Sequence, residues 1–161
     1  MADTQEAGSE QKNAQQFALQ RIYIKDLSFE SPLGAKVFTK QWKPQIKVDL
    51  NTRSDRVNDE NFEVVLTITI TAKLEEETAF LVEVQQGGVF FVQGVEGEAL
   101  RRLLSVVCPT ILFPYARETI DSLVTRGSFP ALMLQPVNFE ALYLQALKQS
   151  EEQAQAAATT Q

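Results

Sequence analysis

CPTILFPYARETIDSLVTRGSFPALMLQP, residues 108–136, joins an amphipathic segment to an apolar one and sets how the end of the chain closes on the rest. Phe113, Ala116, Ile120, Leu123 and Val124 recur at helical spacing and form one apolar stripe. Arg117, Glu118, Asp121 and Thr125 fall on the other faces. Pro109 and Pro114 should start or kink this helix, because proline lacks the amide donor and clashes with the preceding turn. Arg126 followed by Gly127 predicts its end, with the glycine taking a left-handed cap. The next stretch, SFPALMLQP, is apolar and bracketed by prolines. Loops normally face water, so this one is either a buried crossover or a surface available to hold something.

Upstream the period is that of strands. In residues 62–74, Phe62, Val64, Leu66, Ile68, Ile70, Ala72 and Leu74 take one face, and a row of threonines shares the other. Glu75, Glu76, Glu77 and Thr78 make a turn into a second strand, with Phe80, Val82 and Val84 on one face and Leu81 and Glu83 on the other. Gly87 and Gly88 predict a bulge or bend before 89–92 continues. Residues 46–50 alternate as a half-buried strand, and 51–61 read as a polar turn region. Residues 17–30 are strand-like, with imperfect alternation. From Glu96 the period becomes helical, with Leu100, Leu103, Leu104, Val107 and Ile111 in a stripe; 96–126 is one kinked helix or two short ones. A last helix is expected after Asn138, a favoured N-cap. Strands grouped before helices predict an α+β fold: a four-stranded antiparallel sheet with long helices packed on one side. Large apolar residues on both faces, Val65 and Leu81 among them, predict that other copies cover part of the sheet.

Composition narrows the function. The chain of 161 residues is 44% hydrophobic and 22% charged, as ordinary globular domains are. Residues 1–16 and 150–161 read as disordered tails around a folded body of 17–149. A net charge of −6 argues against general nucleic-acid binding. The N-terminal stretch has no apolar core of a signal peptide, and no run reads as a membrane span, so a cytoplasmic location is expected. There is no histidine, so the commonest general base and zinc ligand are missing. The single Cys108 reads as a small buried hydrophobe, and the Gly87-Gly88 pair lacks the spacing of a phosphate-binding loop. No enzyme, cofactor or metal is expected. Charge is segregated: nine acids and one base lie in 59–100, nine bases and four acids in 12–56. The acidic stretch is either a solvated turn region or a docking surface for a basic partner.

The pieces RIYIKDLSFESP, EETAFLVEVQQGGVF and CPTILFPYARETIDSLVTRGSFPALMLQPVNFEALY, in that order, closely resemble SecB, the bacterial protein-export chaperone family. The resemblance covers 17–143 and leaves out the tails. It implies a homotetramer built as a dimer of dimers. It also implies an ATP-independent holdase that binds unfolded precursor proteins in the cytoplasm and delivers them to SecA for export across the inner membrane. The SecA-binding positions it implies are Asp26, Glu30, Leu81 and Glu83, and the oligomer-interface positions are Val82, Val84 and Gln86. The substrate groove it implies takes Trp42, Ile46, Val48 and Leu50, then Phe129, Leu132 and Leu134, with Leu142 on the last helix. Trp42 reads equally as core. The alternative within the same architecture is a chaperone dedicated to a single client such as an antitoxin.

Overall fold

Alternation carries the two central strands. A computed structural model describes residues 14–158, in the order β1 (Gln16–Glu30), a 3₁₀ turn (Gly34–Thr39), β2 (Gln45–Arg56), β3 (Asn61–Leu74) and β4 (Glu77–Gln93). There follow α1 (Gly97–Arg102), a π-helical segment (Leu103–Val107), α2 (Cys108–Arg126) and α3 (Phe139–Ala158). The strands form one antiparallel sheet, ordered β1-β4-β3-β2. Even-numbered residues of β3 and, from Phe80 on, of β4 share one face, as the pairings Ile68↔Val84 and Ile70↔Val82 require, and they are buried. The helices lie on that side: α2 packs over β4 and β3. The α+β architecture is therefore the one expected.

Helix α2 supplies a matching stripe. Leu104, Cys108, Leu112, Ala116, Ile120 and Val124 are buried at every fourth position from the π segment onward. Of the five residues expected in the upstream stripe, only Leu104 is fully buried, because the wider turn before Pro109 shifts the phase. Pro109 has no amide to donate one turn back, and the chain answers by widening that turn instead of breaking, so 97–126 is one continuous run. By length and composition Gly97–Arg126 could cross a membrane, contrary to the expectation that no run would qualify; here its apolar stripe is packed on the sheet.

Four further expectations change. β2 continues to Arg56, paired with Phe62 across a turn at 57–60, so most of the expected turn region is strand; an edge strand tolerates its polar sequence. The glycine pair does not bend β4, which runs unbroken from Glu77 to Gln93. The register shifts near it lie opposite, in β1, at Gln20 and Lys25, and the one in β4 falls at Ala79, well before the glycines. Those in β1 explain the imperfect alternation of that strand: each extra residue moves the following side chains to the other face. The C-terminal stretch expected as a tail from Ser150 continues α3 as exposed helix to Ala158, while 159–161 and 1–13 lie outside the described residues.

The helix stop at Gly127 is the fourth. Gly127 has φ −75°, and Ser128 takes the left-handed conformation at φ 64°. Gly127 is needed for space: a Cβ there would stand 2.5 Å from the tip of the Phe29 ring. That ring is held between Phe80 and Phe129, at centroid distances of 6.0 and 6.4 Å, and cannot withdraw cheaply. We expect Gly127→Ala to lower stability by about 1–3 kcal/mol through overpacking. Ser128→Gly should be neutral or mildly stabilising, since it relieves a left-handed non-glycine residue. Thermal unfolding of the two variants checks both; a tolerated Gly127→Ala would mean that Phe29 is free to move.

Candidate functional site: an apolar trough and an acidic sheet face

A helix is about 10–12 Å across, and strands are spaced about 4.8 Å, so α2 covers two strands of four. The helix-side faces of the edge strands are left partly open. On β2, Ile46, Val48 and Leu50 pair with Ala72, Ile70 and Ile68 and therefore share the helix-side face. Ile46 and Val48 are exposed, and Leu50 is half-buried. Among the described residues β2 is also an outer strand, with one edge free of any partner in the sheet.

Aromatic residues floor the end of this row near Ile46. Trp42 lies 5.2 Å from Phe129 and 6.4 Å from Phe80, and Phe129 lies 4.9 Å from Phe80. Phe38 leans on Phe129 at 5.7 Å and is itself 57% exposed. Phe38, Trp42 and Phe129 line a cleft of about 190 Å³ with Lys40 and Pro130, and Phe80 lies buried beneath them. Trp42 thus belongs to core and cleft at once: it is half-buried, one side stacked on Phe80 and the other open. At the other end Leu50 and Leu142 line a second cleft of about 280 Å³ with Phe139, Tyr143 and Ser105. The base of α3 is fixed there. Asn138 Oδ1 accepts from the Ala141 amide at 3.0 Å, Arg102 pairs with Glu140 at 2.7 Å, and the Tyr143 hydroxyl donates to Glu98.

The crossover between α2 and α3 combines its two readings. Phe129 is buried, Leu132 and Leu134 are half-buried, and Met133 is 73% exposed. Asp121 pins it, accepting from the Leu132 and Met133 amides at 2.9 and 3.2 Å. Leu134 is not brought to Trp42; it lines a separate cleft of about 370 Å³ with Arg117, Asp121 and Met133. Phe38, Met133 and Asp121 were missed in the sequence. Phe38 sits in a 3₁₀ turn with no periodicity, and the anchoring role of Asp121 depends on a loop that returns over it.

The opposite face of the sheet is different in kind. Glu30 pairs with Leu81, Ser28 with Glu83 and Asp26 with Gln85, so Asp26, Glu30, Leu81 and Glu83 share this open face. Asp26 and Glu30 are exposed; Leu81 and Glu83 are half-buried, and Glu83 accepts from the Thr69 hydroxyl at 2.9 Å. Val65 on the same face is 3% exposed within the protomer and needs no other copy to cover it. Nearby, the Tyr23 hydroxyl and Lys25 both donate to Glu63. Val82, Val84 and Gln86 lie on the helix side, fully buried. Within one protomer they lie under the helices and not on an open surface.

Burial pushes the Cys108 thiol up to about 12, which makes it a poor nucleophile. Among the described residues no three His, Cys, Asp or Glu side chains are grouped to hold a metal.

One antiparallel sheet, helices over one face and an apolar trough beside them define the class: this is the SecB-like chaperone fold. It is shared with a SecB-like chaperone of Mycobacterium tuberculosis solved in complex with a ChAD peptide from the HigA1 antitoxin (TM-score 0.61, 16% identity, 75% of this chain and 87% of that one). The model of the family described as preprotein translocase subunit SecB matches residues 10–150. A protein-export protein SecB of Marinobacter nauticus is 59% identical over 96% of this chain and 94% of its own length. That of Hahella chejuensis is 61% identical over 85% and 86%. The chain belongs to the SecB family, the chaperones of protein export.

The Tyr23–Glu63–Lys25 contact predicts a pH response. Hydrogen bonds from Tyr23 and Lys25 hold the Glu63 carboxyl below its ordinary value, and burial with the Glu63 bond pushes Tyr23 up to about 12. The Glu63 contribution is present above the ordinary carboxylate range and is lost as the pH falls through the depressed value. That of Tyr23 is present below about 10 and is lost as the pH rises towards 12. Glu63→Gln should flatten the acid limb of a stability–pH curve; an unchanged limb would show that the contact is not formed in solution.

Proposed function

We propose that this chain is an ATP-independent holdase that captures non-native precursor proteins in the cytoplasm and passes them to SecA. The observation that carries the reading is the apolar surface beside β2: an aromatic-lined cleft before the strand begins, exposed Ile46 and Val48 on it, and an outer edge unpaired among the described residues. An extended client can seat apolar side chains there while its backbone bonds to the free edge, a mode indifferent to sequence. Each large side chain buried contributes about 1.5–3 kcal/mol, so a few suffice. Asp26, Glu30, Leu81 and Glu83 are the SecA-docking residues in this reading, since an acidic surface with an apolar member suits a basic partner. The working unit is a tetramer, a dimer of dimers. The row Phe17, Leu19, Ile24 and Leu27 on the edge strand β1 is exposed in one protomer and gives another copy something to cover. A chaperone devoted to one client such as an antitoxin is the second reading, motivated by the fold shared with the mycobacterial chaperone. Tight binding to one protein with no SecA binding would favour it.

Light scattering of the native particle, with and without an unfolded client and no nucleotide, tests the first reading. A tetramer that gains client mass supports it; a monomer that ignores the client overturns it. Glu83→Lys should weaken SecA binding while mass and client capture stay unchanged; loss of the tetramer would make Glu83 structural. Phe38→Ala should leave thermal stability nearly unchanged, because the ring is largely exposed, and weaken client capture by roughly three- to tenfold.

A further inference from the structure

Ile22 and Phe29 must both face the helices: Ile22 packs on the core, and Phe29 stacks against Phe80. They are an odd number of residues apart, and a strand alternates with a period of two, so one extra residue is required between them. That residue is Lys25, skipped in the ladder between Ile24↔Gln86 and Asp26↔Gln85. Without the bulge Asp26 and Glu30 would turn towards the helices.

The bulge is gripped from both sides. On the helix side Gln86 Nε2 donates to the Tyr23 carbonyl at 2.9 Å. Gln86 is the one buried polar side chain among the described residues, 2% exposed in a row of valines and phenylalanines. On the open side the Tyr23 ring lies over Gly87, where a Cβ would stand 2.5 Å from it, and Tyr23 and Lys25 both reach Glu63. An amide in an apolar row costs stability unless its polar atoms are paired; here Nε2 is paired with the Tyr23 carbonyl while the buried Oε1 has no partner, so Gln86 is retained at a cost.

We infer that Gln86 is a positioning residue for the acidic docking face, holding the bulge at Lys25 that turns Asp26 and Glu30 to stand beside Leu81 and Glu83. This rests on the SecA reading for its functional consequence and on the β1 register alone for its structural one. Gln86→Leu keeps the volume and removes the donor. It should weaken SecA binding about tenfold, the effect of one buried hydrogen bond, when compared at equal particle mass by light scattering. Deleting Lys25 in that variant removes the need for a bulge and leaves Asp26 and Glu30 in phase, so binding should return to within about twofold of wild type. A general packing defect at Gln86 would not be rescued by a deletion in β1. Wild-type binding by Gln86→Leu, or a loss that the deletion does not restore, overturns the inference. If wild-type protein does not bind SecA, hydrogen exchange of the amides at 23–27 decides. Exchange faster in Gln86→Leu and restored by the deletion supports the brace; unchanged exchange overturns it. Gln86→Met serves where the leucine variant does not fold.

Discussion

The structure depends on one apolar seam, where α2 lays Cys108, Leu112, Ala116, Ile120 and Val124 against the even-numbered side chains of β3 and β4. Both partners present their apolar residues at their own natural period, every fourth on the helix and every second on the strands. The seam is narrow because a helix is about two strand spacings wide. It seals the middle of the sheet and leaves both flanks partly open. The trough beside β2 and the exposed apolar row on β1 follow from that one mismatch of widths.

The flanks then differ in what closes them. At β2 the chain brings its own cover, a 3₁₀ turn and the crossover, which meet in the aromatic group around Phe129. That cover is incomplete: Phe38 and Met133 remain exposed. At β1 the described residues leave Phe17, Leu19, Ile24 and Leu27 about two-fifths exposed, with Phe17 stacked on Phe90. A chaperone must keep apolar surface available without aggregating, and the acidic turns and the net charge of −6 oppose indiscriminate association.

Much of this was legible in the sequence. The alternation of β3 is unbroken over seven apolar positions, the Asn138 cap is local chemistry, and the α2 stripe has a clear period. Legibility failed where a residue answers to a distant neighbour. Gly127 reads as a left-handed cap because glycine usually is one, yet it exists to admit Phe29, almost a hundred residues earlier in the chain. Val82, Val84 and Gln86 read as interface positions by resemblance, yet they lie under the helices.

The sequence by itself determined the element types, the order of strands before helices, the buried face of the central strands and the family, because these rest on local periodicity and on long matching pieces. Only the tertiary structure decided which face Asp26 and Glu30 present, which groove residues meet and which do not, and why Gln86 and Gly87 stand where they do. Register and close approach are settled between strands far apart in the chain, and a single extra residue such as Lys25 reverses every face that follows it.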